Sequence, residues 1–341
     1  MLKRIYAVFR ARNKEFLRDR GTMAWNLVLP VVLVFGLAFA FGDGGRSQYT
    51  VGVLQDTAEI DVSVHAFLET RYIRFVPVVD QGEGLVKVER HQLDLLVQFV
   101  GDPRYWVNPD SRKGYFVEKA LLLSDAGSVG SIRKEEISGK AIRYADWVLP
   151  GILGMNMMFS SLFGVGYVVV RYRKNGFLKR LRATPLTPLE FIIAQVASRL
   201  GLILVITAIV FSGTHLLLGT PVEGSYLTLL LIAAIGAISM ISLGLMIAAR
   251  VTSEELAGGL LNMINWPMML LSGVWFSLEG AAPIVQQAAM IFPLTHVLDS
   301  ARAVMLDGAT LIDVAPSLVS LSAMSAVFLV SGAMMFRWGP R

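Results

Sequence analysis

The sequence predicts an α-helical polytopic membrane protein with six transmembrane helices and an α/β extracytoplasmic domain between spans 1 and 2. The composition is the first observation, because 54% of the residues are hydrophobic and only 17% are charged. A soluble domain usually has about a quarter of its residues charged. The second observation is a set of apolar stretches of about 20 residues, the length that crosses a bilayer. The third is residues 43–146, which have the mixed composition of a soluble protein.

Six stretches are long and apolar enough to cross a hydrocarbon core about 30 Å thick as helices. They are Met23–Phe41, Trp147–Val170, Phe191–Leu218, Tyr226–Ala249, Gly258–Phe276 and Ser317–Trp338. The first lies in residues 22–42, and the other five lie in a transmembrane domain of residues 147–341. The third contains one charge, Arg199. Because a charge inside a bilayer is costly, we expect Arg199 to have a structural role and a partner on another span.

Lysine and arginine are concentrated beside the first two spans. They are Lys3, Arg4, Arg10, Arg12, Lys14, Arg18 and Arg20 before the first span and Arg171, Arg173, Lys174, Lys179, Arg180 and Arg182 after the second. Cytoplasmic flanks carry this excess, so the N-terminus is expected in the cytoplasm of a bacterial inner (plasma) membrane. Six spans return the C-terminus, with Arg337 and Arg341, to the same side. The long basic segment argues against a cleaved signal peptide.

Residues 1–21 are predicted to form an amphipathic helix in the plane of the cytoplasmic interface. Leu2, Ile5, Phe9 and Phe16 fall on one helical face, and the basic residues lie elsewhere. This pattern is typical of helices that bury one apolar face at the boundary of the lipid headgroups. A basic tail without such a face is the simpler alternative.

Residues 43–146 alternate between strand-like and helix-like segments, which predicts a small α/β sheet. The predicted strands are Tyr49–Leu54, Ile73–Val79, Leu93–Val100 and the short Tyr105–Asn108, and the predicted helices are Val62–Glu69, Gly84–Glu89 and Tyr115–Leu123. His65 and His91 are isolated and do not have the spacing of metal ligands. We therefore expect no metal site in this domain.

No catalytic or nucleotide-binding motif is present in the sequence. It lacks GxxxxGK[ST], HExxH and GxSxG, which would cradle phosphates, bind zinc and carry a nucleophile. It has no cysteine, which excludes disulfides and thiolate ligands. The net charge of +5 does not indicate nucleic-acid binding, because the basic residues cluster beside apolar spans. We therefore expect a chain that is not an enzyme.

The loop 171–188, RYRKNGFLKRLRATPLTP, combines many cations with an apolar pair and ends on two prolines. A short helix that exposes Phe177, Leu178 and Leu181 among cations would suit docking to a cytoplasmic partner. A solvated cytoplasmic loop would have the same composition. Composition alone leaves both interpretations open.

Three stretches, in order, resemble the permease (transmembrane) subunit of type-2 ABC exporters, in the branch with a large extracytoplasmic domain. They are DWVLPG at 146–151, NGFLKRLRATPLTPLEFIIAQ at 175–195 and, within 265–308, NWPMMLLSGVWFSLEG and FPLTHVLDSARAVMLDG. The resemblance covers essentially the whole chain. It departs from the family at Ser277, where a proline is frequent, and we expect this to affect only the shape of a loop.

The resemblance implies that a separate ABC ATPase subunit binds ATP and Mg, and that this chain itself binds no cofactor. The family's coupling helix, which is seated in the ATPase, would comprise Asn175, Gly176, Phe177, Leu178, Lys179, Arg180, Leu181 and Arg182. Glu254 and Glu255 could make a second contact with the ATPase, although two solvated acids in a short loop are the simpler interpretation. Residues 1–21 would be the family's connecting helix.

In this family the translocation path runs between the second and fifth spans, at the interface of two permeases. The candidate lining residues here are Asn156, Met157, Phe159, Asn262, Met263, Asn265 and Met269. Methionine and asparagine also serve ordinary helix packing, so this alternative stays open. The resemblance implies that region 277–308 re-enters the membrane from outside, with Pro293, Asp299 and Arg302 as an outer gate. Asp299 and Arg302, three residues apart, could also form a local ion pair.

These expectations describe the permease subunit of an ATP-driven exporter that moves a hydrophobic or amphipathic substrate, drug-like or lipid, outward. The expected partners are an ABC ATPase, a second permease copy or paralogue forming a dimer, membrane lipids and a periplasmic adaptor, but no nucleic acid. The alternative is a non-transporting ABC-type sensor or mechanotransmitter that signals through its outer domain. The sequence leaves open the substrate, the identity of the ATPase and the choice between homodimer and heterodimer.

Overall fold

The computed structural model describes residues 1–41, 49–55, 60, 64–125, 132–137, 144–278 and 281–336. The start of the predicted helix at Val62, the end of the sixth predicted span at Trp338, and Arg337 and Arg341 lie outside these residues. The chain divides into two compact units, one of Met1–Gly42 with Tyr144–Arg341 and one of Asp43–Arg143. We call them the helical unit and the α/β unit.

The α/β unit contains a five-stranded sheet of order β2-β1-β3-β4-β5. Its elements are β1 Tyr49–Leu54, a 3-10 turn Ala66–Glu69, β2 Ile73–Val78, α3 Gln81–Glu89, β3 Leu95–Gln98, β4 Arg104–Val107, α4 Arg112–Asp125 and β5 Arg133–Glu136. Strand β1 is parallel to β2 and β3, β4 is antiparallel to β3, and β5 is parallel to β4. The first four strands and both helices lie where the sequence predicts them. The segment predicted to begin a helix at Val62 forms the 3-10 turn in its described part.

Strand β5 has the sequence RKEE, which contains no apolar residue and therefore does not match the strand pattern used for prediction. Lys134 of β5 is paired, since its Nζ lies 3.0 Å from Oε1 of both Glu118 and Glu136. The indole of Trp106 donates to Glu135. A charged edge strand also discourages pairing with other chains. Backbone pairing with β4 and ion pairs to β4 and α4, rather than an apolar face, thus hold β5 in the sheet.

The helical unit contains one irregular element, a π-helical turn at Leu162–Tyr167 that joins α5 to α6. Its other elements are α1 Leu2–Arg18, α2 Arg20–Phe41, α5 Tyr144–Ser161, α6 Val168–Lys174, α7 Phe177–Arg182, α8 Pro188–Leu218, α9 Tyr226–Ala248, α10 Glu254–Leu271, α11 Pro283–Ala289, α12 Pro293–Asp307 and α13 Ala315–Met335. Helix α9 lies at the centre and packs against α8, α12, α13 and the π-helical turn.

The ends of α8 and α12 are set by local sequence signals. Thr187 and Glu190 form a capping box at the start of α8, in which each side chain accepts from the backbone N–H of the other. Pro293 begins α12, where a proline loses no helical hydrogen bond. Gly219 and Gly308 follow these helices with φ of 60° and 67°, a left-handed conformation that glycine adopts without steric cost.

Four helical segments of the described chain are long and apolar enough to cross a membrane. They are Tyr144–Lys174, Leu189–Leu218, Tyr226–Ala248 and Ala315–Met335. Two bent pairs raise this number to as many as six if each pair is one span: Leu2–Arg18 with Met23–Leu37, bent by 62°, and Pro283–Ala289 with Pro293–Asp307, bent by 98°. The protein is therefore a mostly helical membrane protein with four to six candidate spans.

Helix α10, which contains most of the fifth predicted span, is not among the four apolar segments. It begins with Glu254 and Glu255 and contains two asparagines, which lower its mean hydropathy. The helix also ends at Leu271, before the predicted end of the span. The second bent pair lies in the region that was predicted to re-enter the membrane. The predicted count of six spans, with α10 as the fifth, stays a prediction.

Candidate functional site

A compact hairpin follows the π-helical turn and contains all of the residues predicted for the coupling helix. Helix α6 ends at Lys174, Asn175 and Gly176 form a turn, and the short helix α7 begins at Phe177. Gly176 has φ of 67°, so this tight turn depends on a residue without a side chain. The turn after α7 leads to the capped start of α8.

The apolar residues of α7 lie on different faces. Leu178 is fully buried and belongs to the main core of the helical unit. Phe177 is 38% exposed, and its ring centroid lies 4.7 Å from that of Tyr172. The expectation that Leu178 is exposed is therefore wrong, because successive residues of a helix point about 100° apart. Leu178 anchors α7, and Phe177 is the apolar residue that α7 presents to its surroundings.

Three cations are exposed on α7, and one of them, Arg180, lies three residues after Phe177 and therefore on the same helical face. Lys179, Arg180 and Arg182 are all exposed, and none of them pairs with an acid in the described part of the chain. Their charges are therefore available to a partner. An exposed aromatic ring among unpaired cations is a suitable docking surface for a protein with a complementary acidic groove.

Glu254 and Glu255, the predicted second ATPase contact, are both paired with Lys174, the residue just before the predicted coupling helix. Lys174 Nζ lies 3.4 Å from Glu254 Oε1 and 3.8 Å from Glu255 Oε1, and the Tyr167 hydroxyl donates to Glu254 at 2.8 Å. The Ser253 hydroxyl donates to Glu255 and lowers the pKa of that carboxyl. The start of α10 is thus tied to the end of α6, next to α7.

Arg173 has a structural role that the sequence analysis did not identify. Its guanidinium is buried and donates to the carbonyls of Ala248 at 2.8 Å and Ala249 at 3.0 Å, and also to that of Val251. The last carbonyls of a helix have no partner within the helix, and here Arg173 satisfies those at the end of α9. The sequence counts Arg173 only as a topology signal, because backbone acceptors leave no pattern in a sequence.

The candidate path residues of α5 face two different cavities. Asn156 and Phe159 line a cavity of about 550 Å³ between α1, α2, α5 and α8, which we call the Arg199 cavity. The Asn156 amide donates to the Asn26 carbonyl at 3.2 Å, so it also bonds α5 to α2. Met157 does not line the Arg199 cavity. It lines a second, largely apolar cavity of about 560 Å³ between α5, α8, α9 and α12.

The candidate path residues of α10 also lie on two faces. Asn262 and Met263 are exposed, whereas Asn265 and Met269 are buried. Neither the amide oxygen nor the amide nitrogen of Asn265 has a hydrogen-bond partner within the described chain. The seven predicted residues therefore do not form a continuous lining within a single chain.

The predicted outer gate surrounds Arg302 of α12. Its guanidinium lies 3.8 Å from the ring centroid of Trp147 and donates to the carbonyls of Trp147 at 3.2 Å and Gly273 at 2.7 Å. Arg302 thus joins α12 to α5 and to the turn after α10. Pro293 is buried at the start of α12 and Asp299 is exposed. The ion pair between Asp299 and Arg302 stays a prediction.

Comparison with known proteins identifies relatives along the same stretches. The family described as ABC-2 type transporter matches residues 95–306. The inner membrane transport permease YhhJ of Escherichia coli is 28% identical over 188 residues, which cover 53% of this chain and 49% of YhhJ, so the chain spans about half of that relative. The probable multidrug ABC transporter permease YbhS of Escherichia coli is 22% identical over 376 aligned residues, covering 98% of this chain and 94% of YbhS. Nodulation protein J of Neorhizobium galegae is 23% identical over 206 residues, 59% of this chain and 76% of that protein.

The family match extends over more than half of the 341 residues. It includes the α7 hairpin, the glutamates that start α10 and the Arg302 contacts, as well as three of the four long apolar segments. The length of this match shows the family. The chain belongs to the ABC-2 type transporter family.

Proposed function

We propose that this chain is the membrane-spanning permease subunit of an ATP-driven exporter and that it moves a hydrophobic or amphipathic substrate outward. Its family membership supports the role of a permease. The relative YbhS, which aligns over nearly the whole chain, is named a probable multidrug ABC transporter permease, and this name favours export. A separate ABC ATPase subunit would bind ATP and Mg.

The geometry of α7 is the observation that carries this proposal. Buried Leu178 fixes α7 to the core, while Phe177 and its neighbouring cations stay exposed. Arg173 connects the same hairpin to the end of α9, and Lys174 connects it to the start of α10. A displacement of α7 by an ATPase would therefore be transmitted to two long helices as a rigid-body shift.

The same proposal includes a topology. The α7 hairpin and both termini would be cytoplasmic, α10 would be the fifth of six spans, and the α/β unit would lie outside a bacterial inner membrane. A second copy or a paralogue would complete the pathway, because Asn262 and Met263 of α10 stay exposed among the described residues of one chain. Arg302 and the bent pair α11–α12 would then lie at the outer exit.

Copurification with the ATPase tests the docking step. Phe177→Asp or Arg180→Glu should weaken ATPase binding by about 30-fold, since truncation of an interface hot spot costs about 2 kcal/mol or more. Arg112→Glu, a charge reversal at an exposed residue of α4, is the matched control and should bind the ATPase normally. Retention of the ATPase at wild-type affinity by both α7 variants would contradict the docking assignment.

Transport is tested separately, with the permease and its ATPase reconstituted in vesicles. ATP should drive the movement of a fluorescent amphipathic probe, and Phe177→Asp should abolish this movement. If ATP hydrolysis responds to the permease but no amphipathic probe moves, the role of a sensor or mechanotransmitter would replace that of an exporter.

A further inference from the structure

Arg199 of α8 is a buried cation that no carboxylate of the described chain neutralises. Its side chain is 7% exposed, and its Nε donates to the Ser160 carbonyl of α5 at 2.7 Å, a partner on another helix as the sequence predicts. The guanidinium carbon lies 5.4 Å from the ring centroid of Phe16. The charged neighbour that acts on it is Arg12, another cation. A buried charge without an opposite charge is unfavourable, so this position favours an anion.

Gly164, within the π-helical turn, leaves the space that Arg199 occupies. A Cβ atom on Gly164 would lie only 2.1 Å from Cζ and Nη2 of Arg199, so a residue with a side chain would exclude the guanidinium. Arg12 approaches the same point, and its Nη2 donates to the Gly164 carbonyl at 2.9 Å. Single π-helical turns inside α-helices occur often at functional sites. Two arginines therefore converge on Gly164 of this turn.

The acids near this point do not neutralise Arg199. The Glu15 carboxylate lies 2.9 Å from Arg12 and 3.6 Å from Arg171, and it also accepts from the Tyr172 hydroxyl. Asp19, the other acid lining the cavity, is exposed. Three arginines face two acids in this cavity, which leaves a net positive charge on the side of Arg199.

The remainder of the Arg199 cavity is largely apolar and aromatic. Trp25, Phe159 and Phe163 line it, and Trp25 is 65% exposed, so this side of the cavity reaches the surface of the helical unit. The Asn26 amide and the Ser160 hydroxyl, which hydrogen-bond to each other, lie between the aromatic and the cationic parts. A cation deep in the cavity and an aromatic wall at its edge suit a molecule with a charged head and an apolar chain.

We propose that the Arg199 cavity binds a phosphate-bearing amphiphile, with its phosphate on the guanidinium of Arg199 and its chain along the aromatic wall. A planar guanidinium matches phosphate oxygens with parallel hydrogen bonds. Membrane lipids and transported amphiphiles share this chemistry. Assignment as a transported substrate rests on the proposed function, but binding itself does not.

Binding is tested with the purified full chain in an uncharged detergent, by native mass spectrometry. Dioctanoyl phosphatidic acid should bind about tenfold more tightly than dioctanoylglycerol, which has the same chains but no phosphate; this is the effect expected for a hydrogen bond between charged groups. Arg199→Gln should abolish this preference. Arg250→Gln, which removes one exposed cation outside the cavity, should retain it. Equal affinities for the two lipids in the wild-type chain would overturn the proposal.

A second measurement uses the wild-type chain and does not depend on the stability of the Arg199 variant. Brominated dioctanoyl phosphatidic acid should quench Trp25 at lower concentration than brominated dioctanoylglycerol, which lacks the phosphate, and Trp25→Phe should remove the difference. Quenching of Trp25 at the same concentration by both lipids would contradict a phosphate site in this cavity.

Two further experiments separate the sources of the ligand. Competition by inorganic phosphate would show that the headgroup alone is recognised, which supports the site. ATP-driven movement of labelled phosphatidic acid in vesicles with the ATPase would assign the ligand as a substrate, and binding without movement would assign it as a membrane lipid. Since the binding measurement needs no ATPase, its failure is distinct from a failure of the proposed export function.

Discussion

Gly164 is the residue on which the position of Arg199 depends, so we expect Gly164→Ala to displace the guanidinium. A Cβ at 2.1 Å from Arg199 forces the guanidinium to move, and loss of its hydrogen bond to the Ser160 carbonyl should cost about 1–3 kcal/mol. Gly201→Ala is the matched control, because nothing lies within 4 Å of a Cβ at this position of α8. The control should gain about 0.5–1 kcal/mol from helix propensity. Thermal unfolding in detergent measures both, and equal stability of the two variants would contradict this account.

Asp94 makes the stability of the α/β unit depend on pH. Burial raises the pKa of its carboxyl, although Thr50 N donates to it at 2.7 Å. The folded state therefore holds the proton to higher pH than the unfolded chain, whose aspartate has a pKa of about 3.9. The free energy of unfolding should fall as pH rises from this value through the folded pKa.

Asp94→Asn should abolish this pH dependence, because asparagine does not titrate and retains an acceptor for Thr50. The fluorescence of buried Trp106 during denaturation of the full chain reports the stability of the unit at each pH. Asp102→Asn, at an exposed acid of the same unit, is the control and should leave the slope unchanged. A slope in Asp94→Asn equal to that of the wild type would show that other groups cause it.

The roles of some residues can be recognised from the sequence, and those of others cannot. Arg199 is recognisable because a charge interrupts an apolar stretch, and its need for a partner on another helix follows from physical chemistry alone. Arg173 is not recognisable, since its acceptors are carbonyls some 75 residues away in the chain. The role of Gly164 is equally unrecognisable from the sequence, because glycine occurs in apolar spans for many different reasons.

Within α7, the stability of the chain should depend on Leu178, whereas ATPase binding should depend on the adjacent Phe177. Leu178→Ala should destabilise the chain by about 2–5 kcal/mol, the usual cost of truncating a buried leucine. Phe177→Ala should leave thermal stability nearly unchanged and weaken ATPase binding, because Phe177 is partly exposed. Thermal unfolding and ATPase copurification separate the two effects. Similar losses of stability in both variants would show that α7 has no distinct docking face.

Elements with an apolar face or a capping signal are the ones that the sequence predicts well. Helix α8 ends at Leu218, where the sequence predicts the end of the third span, and Gly219 follows it. Strand β5 was missed because paired charges hold it in place. The α7 helix was located correctly, but composition cannot show which of Phe177 and Leu178 faces the core, since that depends on how α7 packs against the rest of the helical unit.

At the scale of the whole molecule, two topologies are possible, and they differ in the side of the membrane on which the chain lies after α10. If α10 spans, Arg250 and Ser277 lie on opposite sides. If only the bent pair α11–α12 crosses, they lie on the same side. The chain contains no cysteine, so a single introduced cysteine can be labelled without background. Both positions are exposed.

We expect a membrane-impermeant maleimide added to the outer face of sealed spheroplasts to label Ser277→Cys but not Arg250→Cys. Arg112→Cys, in the α/β unit, should react like Ser277→Cys, and Arg182→Cys, on α7, should react only after permeabilisation. Protection of Ser277→Cys until permeabilisation, with Arg112→Cys still labelled, would show that α10 does not cross. The bent pair would then be the fifth span, and the outer gate around Arg302 would be replaced by a membrane-spanning contact.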